Sequence, residues 1–163
     1  MIKKNNNFIY LTLCNDKYVK GVIALNKSLK NVNSKYNLLI LYFNLCDDNI
    51  NLLKNYDILL KKVEPISSKK QSKKFINTYT KLLIFSMIDY DKIIFMDADT
   101  IVLKNIDHLF DIEHNFSVAP DLGNQLMYNR FNTGVMIIKP NIDVFNDMMI
   151  KKDILPSYDG SDQ

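Results

Sequence analysis

The chain predicts a mostly parallel α/β sheet flanked by helices and folded as a single compact domain. Three features point there. Short apolar runs rich in β-branched and aromatic residues alternate with segments of helical period over roughly the first third of the chain, the βαβα order that crossover-linked parallel strands require. A length of 163 residues suffices for one hydrophobic core. Finally, an apolar run closes on Asp97-Ala98-Asp99, and strand ends are where open α/β sheets bind ligands.

Residues 8–13 are apolar and rich in β-formers, which predicts the first strand. Val19, Val22, Ile23, Leu25 and Leu29 recur at helical spacing and predict a helix over residues 17–30. Residues 38–43 read as a second buried strand, with Asp47-Asp48 capping a helix that carries Ile50, Leu52, Leu53 and Leu60. Between residues 63 and 74 the pattern breaks into a polar, basic stretch with four lysines in residues 69–74. It predicts a mobile loop, either simply solvated or acting as a lid over an anionic ligand. Helical spacing returns over residues 79–90 through Leu82, Leu83, Phe85 and Met87, and the next strand ends in the acidic pair. Residues 107–111 resemble a short helical turn, 116–119 and 135–138 two strands separated by the loop 120–133, and 142–151 a last helix.

Asp97 and Asp99 stand two residues apart, so on a continuing strand they would face the same side and reach one cation together. Carboxylate oxygens suit a hard divalent metal whose other ligands are diphosphate oxygens and water. The same triplet also arises as a capping aspartate followed by a turn aspartate. Its neighbours shift the balance between the two.

Those neighbours are Leu11-Thr12-Leu13-Cys14-Asn15-Asp16-Lys17-Tyr18-Val19-Lys20-Gly21, Tyr79-Thr80-Lys81-Leu82, Phe95-Met96-Asp97-Ala98-Asp99-Thr100, Phe131-Asn132-Thr133-Gly134-Val135 and Tyr158-Asp159-Gly160-Ser161-Asp162-Gln163. Together, in this order, they resemble the glycogenin-like glycosyltransferases of family 8. The resemblance implies a Rossmann-like GT-A fold and a retaining, metal-dependent transfer of a hexose, glucose first, from a UDP-sugar to a protein or glycan acceptor. It also implies Mn2+ as cofactor, with Mg2+ the alternative, held by Asp97 and Asp99. Thr12, Leu13 and Cys14 would line the base and ribose, Asn15 would bond the nucleotide and Tyr18 would stack on uracil. Lys81 and Ala98 would lie at the diphosphate and sugar, Asn132, Thr133 and Gly134 beside the sugar hydroxyls, and Asp159, Gly160, Asp162 and Gln163 would complete the sugar site. Lys81, Asp162 and Gln163 are the expected catalytic residues. Residues 1–163 would then be the donor-binding part, without the family's usual C-terminal extension. That extension supplies a histidine metal ligand, and His108 and His114 stand in the wrong region to replace it.

Composition narrows the classes. With 47% hydrophobic and 24% charged residues the chain reads as globular, not disordered. Arg130 is the one arginine among 21 basic residues, which argues against nucleic-acid readout through bidentate Arg contacts. No apolar run is long enough to span a bilayer, and the N-terminus leads straight into a strand, so an intracellular, cytoplasmic location is expected. Cys14 and Cys46 are expected as reduced thiols. Twenty Asn and 20 Ile beside the lysines suggest an AT-rich coding sequence, as in parasites, some bacteria and large DNA viruses. A homodimer is one expected assembly. Two other readings stand beside the enzyme: an inactive UDP-binding remnant or module, and a nucleotidyltransferase, whose aspartate pairs also bind metal-diphosphate.

Overall fold

The computed structural model describes residues 6–69, 77–121 and 130–156. Among these residues nine strands and α-helices follow one another: β1 (Phe8–Cys14), α1 (Val19–Asn31), β2 (Leu38–Tyr42), α2 (Asp47–Lys54), β3 (Leu59–Lys62), β4 (Lys92–Met96), β5 (Phe116–Pro120), β6 (Phe131–Ile138) and α3 (Ile142–Lys151). Among the described residues three 3-10 segments, Asp16–Tyr18, Thr78–Ser86 and Asp107–Asp111, lie in the connections.

All six strands belong to one sheet of order β3-β2-β1-β4-β6-β5. β1 pairs in parallel with β2 on one side and β4 on the other, and β3 adds in parallel to β2. The chain therefore winds outward from β1 to β3, then returns to β1's free edge as β4. That reversal is a topological switch point, and the crevice outside the carboxyl ends of the two strands is where such sheets receive ligands. β6 runs antiparallel to β4, and β5 antiparallel to β6.

Strand alternation sends side chains into two cores. On one face Tyr10, Cys14, Ile40, Ile94 and Met96 pack with Val22, Leu25 and Leu29 of α1, Leu53 of α2 and Phe110. On the other face Ile9, Leu11, Leu39, Phe95 and Met136 pack with Ile84 and Phe85 of the Thr78–Ser86 segment, joined by Phe145 and Met148 of α3. β4 is buried along its whole length, as the continuous apolar run predicts for a central strand.

Four expectations need correction. Leu60 belongs to β3, not to the helix before it, because α2 ends at Lys54 and Asp57 adopts a left-handed φ of 55°. The stretch 79–90 is not an α-helix but 3-10 turns ending at Ser86, whose hydroxyl donates to the Leu83 carbonyl at 2.8 Å and competes with continuation of the helix. β6 starts at Phe131, so the end of the predicted 120–133 loop is strand. The described part of the predicted mobile loop is anchored: Ile66 N–H donates to Thr80 Oγ1 (3.0 Å), Ser68 Oγ to the Lys152 carbonyl (2.6 Å) and Lys69 N–H to Asp153 Oδ1 (2.8 Å). Residues 70–74 of that loop lie outside the described residues, as do Asp159, Gly160, Asp162 and Gln163.

Candidate functional site

At the carboxyl end of β4 the chain leaves the strand at Met96 and turns at once. Asp97 N–H donates to the Gly134 carbonyl (2.8 Å), while the Asp97 carbonyl accepts from Thr100 N–H (3.1 Å) and Thr100 Oγ1 (2.7 Å). The acidic pair therefore sits in a tight turn beyond the strand, and strand alternation does not place it. Packing does. Ala98 is buried beneath α1, leaving Asp97 half-buried and Asp99 exposed on either side of it. A Cβ on Gly21 would stand 2.3 Å from the Ala98 carbonyl oxygen, so only glycine lets α1 lie this close to the turn.

Lys81 reaches the turn from the opposite core. Its Nζ lies 3.1 Å from Asp97 Oδ1, 3.0 Å from Thr133 Oγ1 and 3.4 Å from the Thr133 carbonyl. The Phe95 ring lies beneath it, 5.2 Å from Nζ to the centroid, in cation–π range. The ammonium group thus meets a carboxylate, a hydroxyl, a carbonyl and an aromatic face.

The third contributor is a bulge in β6. Val118 pairs with Met136 but the next residue, Ala119, pairs with Asn132, so residues 133–135 are displaced from β5. Bulges re-aim side chains, and this one brings Thr133 to Lys81. Asn132 Oδ1 closes it by accepting from Gly134 N–H at 2.7 Å. A Cβ on Gly134 would stand 2.7 Å from that Oδ1 and 3.4 Å from Asp97 Oδ2.

Next door, β1 ends in the loop that holds Asn15 and Tyr18. Asn15 Oδ1 caps the short turn by accepting from Lys17 N–H (3.0 Å), and Tyr18 is 46% exposed at the start of α1. Asp16 ties this loop to the one after β2, accepting from Asn49 Nδ2 (2.8 Å) and Cys46 N–H (3.0 Å); these bonds hold its carboxyl below the usual range. Cys14 is buried, and burial, aided by the charge of Asp16, pushes its thiol up to about 12. Both cysteines are free thiols, Cys46 being exposed. Thr12 is buried, its Oγ1 lacking a hydrogen-bond partner among the described residues, and Leu13 is half-buried.

The fold therefore joins Lys81, Asp97, Asn132, Thr133 and Gly134 in one cluster and places Asn15 and Tyr18 on the loop of the adjacent strand. Three participants escaped sequence reading in these roles: Phe95 under the ammonium group, Thr100 closing the turn, and Gly21 as the close-approach position. An isolated glycine within a helical pattern was the one available signal, for Gly21. Among the described residues no group of three or more His, Cys, Asp or Glu side chains is placed to hold a metal. Carboxylate oxygens such as those of Asp97 and Asp99 are the donor type that a hard divalent cation takes beside phosphate, and Asp97 already accommodates one cationic partner in Lys81.

Solved GT-A glycosyltransferases superpose on this mostly parallel sheet with its reversed edge. The crystal structure of the galactosyltransferase LgtC with donor and acceptor sugar analogues aligns with a TM-score of 0.67 at 18% identity, covering 93% of this chain and 67% of that one. The model of glycosyl transferase family 8 matches residues 10–150, and the chain belongs to that family. Inositol phosphorylceramide glucuronosyltransferase 1 of Arabidopsis thaliana is 35% identical over 164 residues, covering 98% of this chain and 29% of the relative. Human glycogenin-1 is 34% identical over 165 residues, covering 96% and 45% respectively. The chain thus spans less than half the length of these two relatives.

Proposed function

We propose that the chain binds a UDP-hexose at the β1/β4 switch point and serves a retaining transfer of the hexose to a protein or glycan acceptor. The observation that carries this reading is the convergence of Lys81, Asp97, Thr133 and Gly134, drawn from three separate segments, beside the Asn15–Tyr18 loop. Tyr18 offers an exposed ring for the uracil, and Asn15, its Oδ1 engaged in the cap, offers Nδ2 to the nucleotide. Asp97 and Asp99 would hold a divalent cation, Mn2+ or Mg2+. Bound there, such a cation neutralises diphosphate charge and acts as a Lewis acid toward the departing phosphate. Lys81 adds a second positive charge from the protein itself. At an effective dielectric of about 20, a unit charge held about 4 Å from the leaving oxygen contributes about 4 kcal/mol. That is about a thousandfold in rate where the contact forms only in the transition state. Gly134 lets the β6 backbone approach closely, and Asn132 flanks the sugar.

Glucose is the hexose we assign, as the resemblance to glycogenin-like transferases implies, while the likeness to a UDP-glucuronate:xylan alpha-glucuronosyltransferase of Arabidopsis thaliana supports UDP-glucuronate as a second donor. The test is to incubate the chain with Mn2+ and a panel of UDP-glucose, UDP-glucuronate, UDP-galactose, ADP-glucose and GDP-glucose, following sugar release and intact mass. Release confined to UDP-sugars supports the reading, and the fastest sugar identifies the donor. Equal turnover of every nucleotide sugar defeats it, and UDP binding without any turnover leaves the inactive UDP-binding module.

A further inference from the structure

Resting on the donor-site reading above, we infer that Thr133 is the positioning residue for Lys81, acting on the donor through the ammonium group and not by contact with the sugar. Thr133 is only 4% exposed, so its hydroxyl faces the protein interior. What it meets there is Lys81 Nζ, at 3.0 Å from Oγ1 and 3.4 Å from the carbonyl. The hydroxyl is itself well fixed. The β6 bulge is closed on one side by the Asn132–Gly134 bond and pinned on the other by the bond from Asp97 N–H to the Gly134 carbonyl, and a β-branched side chain is stiff at χ1. A flexible lysine stem is thereby given a rigid address.

That address matters because Lys81 and the acidic turn share a contact. Lys81 Nζ lies 3.1 Å from Asp97 Oδ1, the same carboxylate proposed to receive a cation. Two positive charges at one carboxylate repel, so a cation held by Asp97 would loosen the contact between Lys81 and that carboxylate. With Thr133 as a second acceptor, the ammonium group keeps its position over the Phe95 ring and stays aimed at the diphosphate. Without the hydroxyl, Lys81 leans more heavily on Asp97 and competes with the cation.

Thr133→Val keeps the shape of the side chain and removes the acceptor, whereas Thr133→Ser keeps the acceptor. Two readouts apply to these variants, to Lys81→Met and to the double variant: UDP-sugar turnover, and binding of Mn2+ without nucleotide followed by electron paramagnetic resonance. Loss of one hydrogen bond to a charged group predicts a fall of about tenfold or more in kcat for Thr133→Val, weaker Mn2+ binding, and near-complete rescue by Thr133→Ser. On the Lys81→Met background Thr133→Val should add nothing, since its effect runs through the missing ammonium group. Should turnover be too slow to follow, UDP titration in Mn2+ reads the same cycle. An undiminished Thr133→Val beside an impaired Lys81→Met overturns the positioning role, as does a full additional loss in the double variant. If Lys81→Met itself changes neither turnover nor UDP affinity, the donor-site reading falls with it.

Discussion

Asp107 shows how one side chain can hold three segments together. Its carboxylate accepts from Tyr10 OH (2.8 Å), Ser34 Oγ (2.7 Å), Lys35 N–H (2.9 Å) and Asn105 Nδ2 (3.3 Å), joining β1 and the α1–β2 loop to the Asp107–Asp111 turn. Burial alone would raise this carboxyl, but the four donors outweigh it and hold the group below the ordinary carboxylate range. The sign follows: a depressed folded value contributes stability that is complete above the unfolded value near ~3.9 and is lost as pH falls through the folded one. Asp107→Asn should cost about 1–2 kcal/mol at neutral pH, after allowance for its partial exposure. Urea unfolding should also show the parent losing more stability than the variant as pH falls below about 4; equal acid sensitivity would count against the hub. Cys14 offers a second residue-scale check. With its thiol pushed up to about 12 by burial, it should resist a maleimide at pH 7.5 that labels exposed Cys46, and both should label after unfolding, as read by peptide mass spectrometry.

At the scale of elements, the approach of α1 to the acidic turn is the contact that the site cannot spare. Gly21→Ala would drive a Cβ to within 2.3 Å of the Ala98 carbonyl oxygen, so helix or turn must shift. The expected cost is about 1–3 kcal/mol in chemical denaturation, with UDP affinity falling alongside; an unchanged midpoint would show that the packing yields freely. β1, α1, β2, β4 and α3 were legible in the sequence because each has a strong apolar period or run. β3 was not: Leu59–Lys62 is a four-residue edge strand, largely exposed, and a short apolar run after a helix looks like its continuation. The β6 bulge was also invisible, since it depends on register against β5, which no local pattern encodes. Left-handed positions were equally hidden, because Asn33, Asn44 and Asn77, at φ 54°, 50° and 71°, occupy conformations that glycine would advertise. Motif order carried the site instead. Lys81, Asp97 and Asn132–Gly134 could be named as partners long before the fold explained that a 3-10 segment, a strand end and a bulge bring them together.

For the whole molecule, the two cores hold one sheet whose switch point opens between the β1 loop and the β4 turn, and family membership gives that crevice its most direct meaning. The polar segment after β3 adds a further tie across the molecule. Asp153, bonded by Lys152 and by Lys69 N–H, has its carboxyl drawn down to about 2, so this clamp between residues 67–69 and the end of α3 should hold throughout the neutral range. Cation-assisted binding of UDP at the switch point, as proposed, is open to a calorimetric titration of UDP with and without Mn2+. Binding should require Mn2+ in the parent chain and disappear in Asp99→Asn; UDP affinity that is the same with or without Mn2+, and unchanged in that variant, would rule the cation-assisted site out.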